Sequence, residues 1–330
     1  MESILNTVSA SRRKFAKFAW FVVAYNLLVI VWGAFVRASK SGDGCGDSYP
    51  LCNGMFIPNA AEIKTIIEFM HRVSTTPALV FVIILLVWGF RAFPRKHPVR
   101  RFAVLSLIFI LVEGLIGAIL VLYRLVAHND SVERAFSMPA HLIATFILVA
   151  VLSLTAWFAS GSKQLFFKGN EKPAMLFGVG IFGMFLVGIS GALAALGDTL
   201  FPASTLQEGF NQDLSETAHY LIRLRILHPI SSIAVGIFVA LLAAWLVRQE
   251  RGIELKRPAY AVIALVVIQL FVGAVNVLLL APIWIQMIHL LLADLLWISF
   301  VLLAASRLSQ PSEVFIKSEH PKATLETAEI

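Results

Sequence analysis

The chain has 330 residues, of which 58% are hydrophobic and 14% charged, and its mean hydropathy is +0.82. Soluble domains average about 45–50% apolar and about 25% charged residues. The composition therefore excludes a soluble enzyme, a disordered chain and a disulfide-stapled secreted module. A net charge of +7 would suggest nucleic-acid binding in a soluble protein. Here membrane topology explains the basic residues better, and no nucleic-acid partner is expected.

Apolar runs separated by charged or Pro/Gly-containing breaks predict eight membrane-spanning helices, because a span needs about 20 mostly apolar residues. The predicted spans are Phe15–Arg37, Ile66–Phe93, Arg101–Tyr123, Pro139–Ala159, Pro173–Leu196, Ala218–Val247, Pro258–Ala281 and Ile283–Arg307. The expected fold class is an all-α membrane protein.

The distribution of lysine and arginine predicts which way the helices run. The connections on the side of the N-terminus carry 19 basic residues and the opposite face carries 8. The positive-inside rule places the richer set in the cytoplasm, so both termini are expected inside. The basic segment Met1–Lys17 leads straight into the first span without a cleavage site, which favours a bacterial inner membrane over a mitochondrion.

Two cysteines, Cys45 and Cys52, lie in the predicted outer loop 38–65 with six residues between them. An oxidising exterior permits a disulfide there. A structural bond that closes the loop and a redox-active pair beside a reaction site are both compatible with the sequence.

An internal duplication is visible at offsets near 156 residues. Its matched features are Trp32-Gly33-Ala34-Phe35 with Ser190-Gly191-Ala192-Leu193, helix-opening capping boxes at Asn59–Glu62 and Asp213–Glu216, His71 with His228, Gly117-Ala118 with Gly273-Ala274, and His141 with His289. We expect two tandem pseudo-symmetric four-helix bundles, at residues 1–160 and 173–307. A cytoplasmic linker, 161–172, and a cytoplasmic tail, 308–330, complete the chain.

The four duplicated histidines are the candidate functional residues, because ionisable side chains inside membrane spans are rare and usually functional. They are His71, His141, His228 and His289. Each bundle supplies two imidazoles on different helices, a pattern typical of haem iron held by axial histidines. Packing histidines are the plain alternative. Zinc or copper is less favoured, because neither half adds further ligands in the same pattern.

Other polar residues near these histidines suit a haem. Four arginines, Arg37, Arg72, Arg223 and Arg225, are candidates to bind haem propionates, since guanidinium groups pair with carboxylates; interfacial anchoring is the alternative. Glu68 lies three residues before His71, on the same helix face, and is expected in the same cavity. An ion pair with Arg72 or Arg37 is the alternative for Glu68. Glu113, which matches Gln269, lines the cavity or bonds across the bundle.

The first outer loop and second helix resemble those of the haem A synthases. The residues that carry the resemblance are Val36-Arg37-Ala38-Ser39-Lys40-Ser41-Gly42, Cys45, Pro50-Leu51-Cys52-Asn53-Gly54 and Glu68-Phe69-Met70-His71-Arg72. The eight-helix plan and the four histidines extend the resemblance over nearly the whole chain. The chain departs from the family pattern at Lys40, at residues 44–50 and at Glu113.

The resemblance implies an oxidoreductase that converts haem O to haem A by oxidising a ring methyl to a formyl group, with water as oxygen source, for cytochrome oxidase biogenesis. It implies that His71 and His141 bind the substrate haem and that His228 and His289 bind haem b. Glu68 matches the family's catalytic acid, and Cys45 with Cys52 matches a disulfide-forming loop pair of one bacterial subgroup. The haem sites are expected toward the periplasmic side.

Three other functions are compatible with parts of the sequence. A di-haem electron-transfer cytochrome predicts comparable sites in both halves and no role for Glu68. A non-catalytic oxidase assembly factor keeps the fold without the reaction, and a duplicated transporter predicts broken helices at the bilayer midplane. The expected partners are haem O synthase (protohaem farnesyltransferase) and an unidentified membrane electron acceptor. A homo-oligomer is compatible with the sequence.

Overall fold

The computed structural model describes residues 2–59, 62–162, 164–249 and 253–310, and within these ranges the chain is helical with no β-strand. The helices are α1 (Glu2–Ala38), α2 (Ile63–Ala92), α3 (Pro98–Leu122), α4 (Val132–Ala159), α5 (Glu171–Leu200), α6 (Leu206–Leu214), α7 (Tyr220–Leu224), α8 (Leu227–Gln249), α9 (Ile253–Leu278) and α10 (Ile283–Leu308). Eight segments of 25–30 residues, one of them α7 with α8, are long and apolar enough to span a membrane. The prediction of an all-α protein with eight spans is confirmed.

Two helices begin before the prolines that open the predicted spans. Helix α4 begins at Val132, seven residues before Pro139, because the Ser131 hydroxyl accepts the free backbone N–H of Arg134 at 3.3 Å. Helix α9 begins at Ile253 and contains Pro258. Pro139 and Pro258 are the eighth and sixth residues of their helices, where each removes one backbone hydrogen bond without ending the helix. Neither proline therefore marks the first residue of its helix.

The third outer connection is more structured than a loop. Residues Leu206–Leu214 form α6, whose Thr205 side chain caps the helix by accepting from Glu208 N at 3.1 Å. The sixth span is divided, because α7 ends at Leu224 and α8 starts at Leu227. The break falls directly before His228. It is therefore at one end of the span and not in its middle.

Both predicted capping boxes are wrong. Helix α2 begins at Ile63 with Glu62 as its N-cap and no side-chain cap bond, while residues 60 and 61 lie outside the described ranges. Asp213 lies within α6, and its carboxylate binds Arg225 at 2.8 Å. Helix α7 is capped by His219, whose Nδ1 accepts from Leu221 N at 3.3 Å. A ring nitrogen thus does what a carboxylate was expected to do.

Contacts between helices form two closed rings. Helices α1, α2, α3 and α4 contact one another in that cyclic order, and so do α5, α8, α9 and α10. The rings meet along a seam where α4 packs on α5 and α10, and α1 packs on α10 and α5. Trp297 of α10 donates its indole N–H to the Phe146 carbonyl of α4 at 2.7 Å, and the two rings stack at 5.3 Å. The predicted tail is described only to residue 310.

Candidate functional site

All four candidate histidines line a single cavity of about 1240 Å³ that extends through both rings of helices. His71 lies on α2, His141 on α4, His228 on α8 and His289 on α10. Each of the four imidazole side chains is half-buried, so one edge of the imidazole is available to the cavity. The structure therefore brings together two imidazoles from each half, on different helices.

A glycine on the neighbouring helix faces each histidine. A Cβ added to Gly33 would lie 2.8 Å from His71 Cε1, and one added to Gly191 would lie 2.9 Å from His228 Cε1. Gly273 stands in the same relation to His289, at 3.0 Å, and Gly117 is looser against His141, at 3.9 Å. The duplicated glycines recognised in the sequence are thus the residues that let each ring approach a helix backbone.

In the N-terminal half, His141 is held by an acidic side chain. Its Nδ1 lies 2.6 Å from the Glu113 carboxylate of α3, and the Thr145 hydroxyl donates to the other carboxylate oxygen. A histidine that binds a metal through one nitrogen usually donates its other N–H to a carboxylate, carbonyl or water. Glu113 places a carboxylate at the position such a partner takes, which would leave Nε2 of His141 for a ligand.

In the C-terminal half, the two imidazoles face one another. The rings of His228 and His289 have centroids 6.2 Å apart and are nearly perpendicular, at 88°. The hydroxyls of Ser190 and Ser232 lie 3.4 Å from His228 Nδ1. Gln269 replaces the acid of the other half, and its Nε2 lies 3.4 Å from His289 Nε2. The surroundings of this pair are neutral.

Glu68 lies in the cavity wall beside His71 and is only 3% exposed. It forms an ion pair with Arg72 at 2.5 Å and accepts a hydrogen bond from Cys45 N at 2.8 Å. The predicted cavity position and the predicted alternative, an ion pair with Arg72, are therefore both realised. Arg72 also donates to the Ser48 and Leu51 carbonyls at 2.6 Å each.

The outer loop is fixed onto the start of α2. Cys45 and Cys52 form a disulfide, and both side chains are buried. Thr65 donates its hydroxyl to the Gly44 carbonyl at 2.7 Å, and a Cβ at Gly44 would lie 2.5 Å from the Lys64 backbone. The disulfide therefore closes the loop whose Cys45 backbone N–H donates to the Glu68 carboxylate.

Outside the spans, an ion pair connects this loop to the α3–α4 connection. Arg124 donates through Nε to Asp47 at 3.2 Å, and both side chains are largely exposed. The hydrogen bond and positive charge of Arg124 lower the pKa of Asp47 and the carboxylate raises the pKa of Arg124. Solvent screening makes such exposed pairs weak. Arg124 therefore contacts the loop only weakly at the surface, which is consistent with an interfacial anchor.

The four predicted propionate arginines are placed differently. Arg37 reaches across the seam and donates to the Ala195 carbonyl, the Thr199 hydroxyl and the Gln286 side chain at 2.7–2.9 Å. Arg225 is buried and pairs with two carboxylates. Arg223 is exposed, at a shallow surface pocket beside Tyr220. Arg37, Arg72 and Arg225 thus already have acceptors within the protein.

Two acidic partners of Arg225 were missed in the sequence. Asp198 of α5 lies 3.1 Å from Arg225 and Asp213 of α6 lies 2.8 Å from it, and all three line the cavity. Asp198 comes seven residues after Gly191, two turns along the same helix face. That spacing is the signal that could have located it. Nothing in the sequence indicated that Asp213 would turn toward Arg225 and not cap a helix.

The donor set fits a planar iron porphyrin. Paired imidazoles on opposite helices are the ligands that haem iron takes, and glycines let three of the four rings lie close against a helix backbone, with their other edges toward the cavity. In the described part of the chain, no group of three or more His, Cys, Asp or Glu side chains is arranged to hold a metal ion. Two-histidine sites of this kind match haem iron, which takes its other four ligands from the porphyrin.

Comparison with known proteins gives concordant results. Residues 16–301 match a family described as cytochrome oxidase assembly protein. A protein of Thermus thermophilus named Protoheme IX farnesyltransferase is 43% identical over 298 residues, which cover 90% of this chain and 49% of that protein. A Heme A synthase of an Exiguobacterium species is 31% identical over 188 residues, 57% of this chain and 60% of that protein. A Heme A synthase of Geobacillus kaustophilus is 29% identical over 177 residues, which are 53% of this chain and 55% of the relative. The chain thus spans about half to three-fifths of the length of these relatives.

Proposed function

Because the chain belongs to the cytochrome oxidase assembly protein family, we propose that it is a haem A synthase. The reaction oxidises a methyl group of haem O to the formyl group of haem A, with water supplying the oxygen and with four electrons and four protons released, the electrons going to a membrane electron acceptor. Two of the relatives described above carry the name Heme A synthase. The substrate is haem O, bound between His71 and His141.

The observation that carries this proposal is the asymmetry between the duplicated halves. Glu68, beside His71, is an acid bound by Arg72 and by the backbone N–H of Cys45. The residue at the same place relative to His228 is Arg225, a cationic side chain that is paired with two aspartates. An electron-transfer cytochrome needs only ligands in both halves. A site of chemistry in one half requires a group such as Glu68 that accepts or donates protons.

The N-terminal residues have distinct roles in this proposal. Arg72 and Cys45 N fix the Glu68 carboxylate in the cavity wall, where it accepts the protons that oxidation of the methyl group releases. His71 and His141 orient the substrate ring with respect to Glu68. The apolar walls keep bulk water away, so that only a water held at Glu68 reaches the methyl carbon.

The C-terminal half holds haem b in this proposal. His228 and His289 are its ligands, and their rings are close enough for one iron to bind a nitrogen of each. When bound, haem b supplies one-electron transfer away from the substrate half. The seam between the halves, where Arg37 spans from α1 to α5 and α10, keeps the two sites at a fixed spacing.

The proposed partners follow from the substrate. The Thermus relative named Protoheme IX farnesyltransferase matches this chain over about half of its length. We propose that the remainder of that relative performs the preceding farnesyl transfer, and that a separate haem O synthase supplies substrate to this chain. Placement in a bacterial inner membrane, with haem sites toward the periplasm, and the domain limits 1–160 and 173–307 belong to the same proposal.

The test is haem extraction after co-expression with a haem O source. The wild-type protein is expected to yield haem A, and Glu68→Gln, which keeps the size and hydrogen-bond acceptor, is expected to lower haem A at least 100-fold. Glu254→Ala is the matched control, because Glu254 is an exposed acid in the first turn of α9. Haem b alone in all three proteins would refute the enzyme and favour the di-haem cytochrome.

A further inference from the structure

We propose that Glu113 is a positioning residue that sets the tautomer and the electron-donating strength of His141, making the N-terminal haem site the more reducing of the two. This inference rests on the proposed function, since it takes His141 as an iron ligand. It goes further by assigning a role to a residue outside the ligand set and the catalytic acid.

The contact is short, and both oxygens of the Glu113 carboxylate are engaged. Glu113 Oε2 lies 2.6 Å from His141 Nδ1, and the Glu113 side chain is 13% exposed. The Thr145 hydroxyl binds the other carboxylate oxygen, and Thr145 follows His141 by one turn on the same helix. A carboxylate that accepts from Nδ1–H fixes the tautomer in which Nε2 carries a lone pair. That nitrogen is then directed to the cavity.

The other half provides an internal comparison. Gln269 occupies the position of Glu113, 156 residues later, and lies on α9 as Glu113 lies on α3. Its amide donates to the His289 backbone carbonyl at 3.1 Å and makes only a 3.4 Å contact with the ring. Neither His141 Nδ1 nor His289 Nδ1 makes a well-aligned hydrogen bond among the described residues, and the difference between them is the Glu113 carboxylate 2.6 Å from His141 Nδ1. The two halves therefore differ by one negative charge, that of Glu113, next to the proposed ligand His141.

A carboxylate behind a histidine ligand makes the imidazole more basic and holds its ring in place. A stronger donor and a nearby negative charge both favour ferric over ferrous iron, because the oxidised centre carries the additional positive charge. Hydrogen bonding to the axial ligand is one of the means by which a protein sets a haem potential. The N-terminal haem should therefore have the lower midpoint potential, and electrons leave it for the C-terminal half.

Two substitutions separate the charge from the orientation. Glu113→Gln keeps an acceptor for Nδ1–H and removes the charge, so haem retention is expected to stay within about threefold while the midpoint potential rises. Glu113→Leu removes both, and haem retention in that half is expected to fall about 10- to 100-fold. Gln269→Glu is the reciprocal variant and is expected to lower the potential of the C-terminal haem.

The measurement is a spectroelectrochemical titration of purified, haem-loaded full-length protein. The transition that persists in the His228→Ala/His289→Ala protein is assigned to the N-terminal haem. If Glu113→Gln leaves that transition where it is in the wild type, or if Glu113→Leu retains haem fully, the inference is overturned while the haem sites stand. If the wild-type protein binds no haem, the proposed function itself fails, and the two failures are thereby distinguished.

Discussion

The close approach of glycine to histidine gives a sharp prediction for Gly33→Ala. The new Cβ would lie 2.8 Å from His71 Cε1, whereas ordinary contacts are 3.4–4 Å, so the ring must withdraw by about 0.6 Å. In the haem-free protein the imidazole is the end of a mobile side chain and can turn into the cavity. In the proposed haem-bound state the iron would fix the ring, so the clash would fall on haem binding and not on folding.

The magnitude follows from the cost of the displaced ring. Inserting a methyl group into a packed site costs about 1–3 kcal/mol. Since 1.4 kcal/mol is a factor of ten, the expected loss in haem affinity is about 5- to 150-fold. Gly117→Ala is the matched control, because its Cβ would lie at a comfortable 3.9 Å from His141 Cε1. Its effect should be less than twofold.

The assay compares haem content with thermal stability for the two variants. Pyridine haemochrome analysis of the purified proteins measures haem per chain, and a melting curve of the haem-free form measures folding. We expect Gly33→Ala to lose haem and to keep the haem-free melting temperature. Equal haem content in both variants would refute the reasoning. So would a large drop in melting temperature for Gly33→Ala alone, since the clash would then act on the fold.

Two further predictions concern the seam and the α2–α3 turn. Arg37→Leu removes three hydrogen bonds between the halves and should destabilise the protein in detergent by about 2–4 kcal/mol. The control Arg91→Leu changes an exposed arginine at a helix end and should cost under about 0.5 kcal/mol. Equal melting temperatures for the two variants would contradict this prediction. His97 caps α3 by accepting from Val99 N at 3.3 Å, and burial together with the charge of Arg12 lowers its pKa below the ordinary 6.5. Its neutral ring therefore stabilises the fold above pH 6.5, and this contribution, about 1 kcal/mol for a cap, is lost as the pH falls through the lower folded value. Melting curves between pH 7.5 and pH 4.5 should show a larger acid loss for the wild type than for His97→Asn, whose cap does not titrate.

The fold was predictable because its signal is hydrophobic length. Eight long apolar runs can only satisfy their backbone groups in a bilayer as helices, whatever their exact ends. The helix ends were less predictable, because local hydrogen bonds of Ser131 and His219 determine where α4 and α7 begin. Pro139 lies seven residues inside α4, where the helix continues through it. The pattern therefore located the element and not its first residue.

The candidate site was predictable only where the duplication repeated it. Matching His71 with His228 and His141 with His289 selected four rings that line the same cavity. The acceptors of Arg37 and Arg225 come from helices far away in the sequence, so no spacing could reveal them. Periodicity reports which residues share a helix face. It does not report which distant carboxylate a long arginine side chain will reach.

The duplicated halves retain the part of the site that depends on backbone geometry and have changed the part that depends on charge. A glycine opposite a histidine needs only two helices at a fixed separation, and all four such pairs persist. The charges next to the rings differ: Glu68 and Glu113 stand in one half where Arg225 and Gln269 stand in the other. Arg72 pairs with Glu68 as Arg225 pairs with its two aspartates, so the charge that no arginine offsets is that of Glu113, where the other half has Gln269. Such a division is what an electron donor site and an electron acceptor site require, because negative charge raises the tendency of a bound iron to give up an electron. Under the proposed function, the side chains next to the histidines that differ between the halves would set the direction of electron flow.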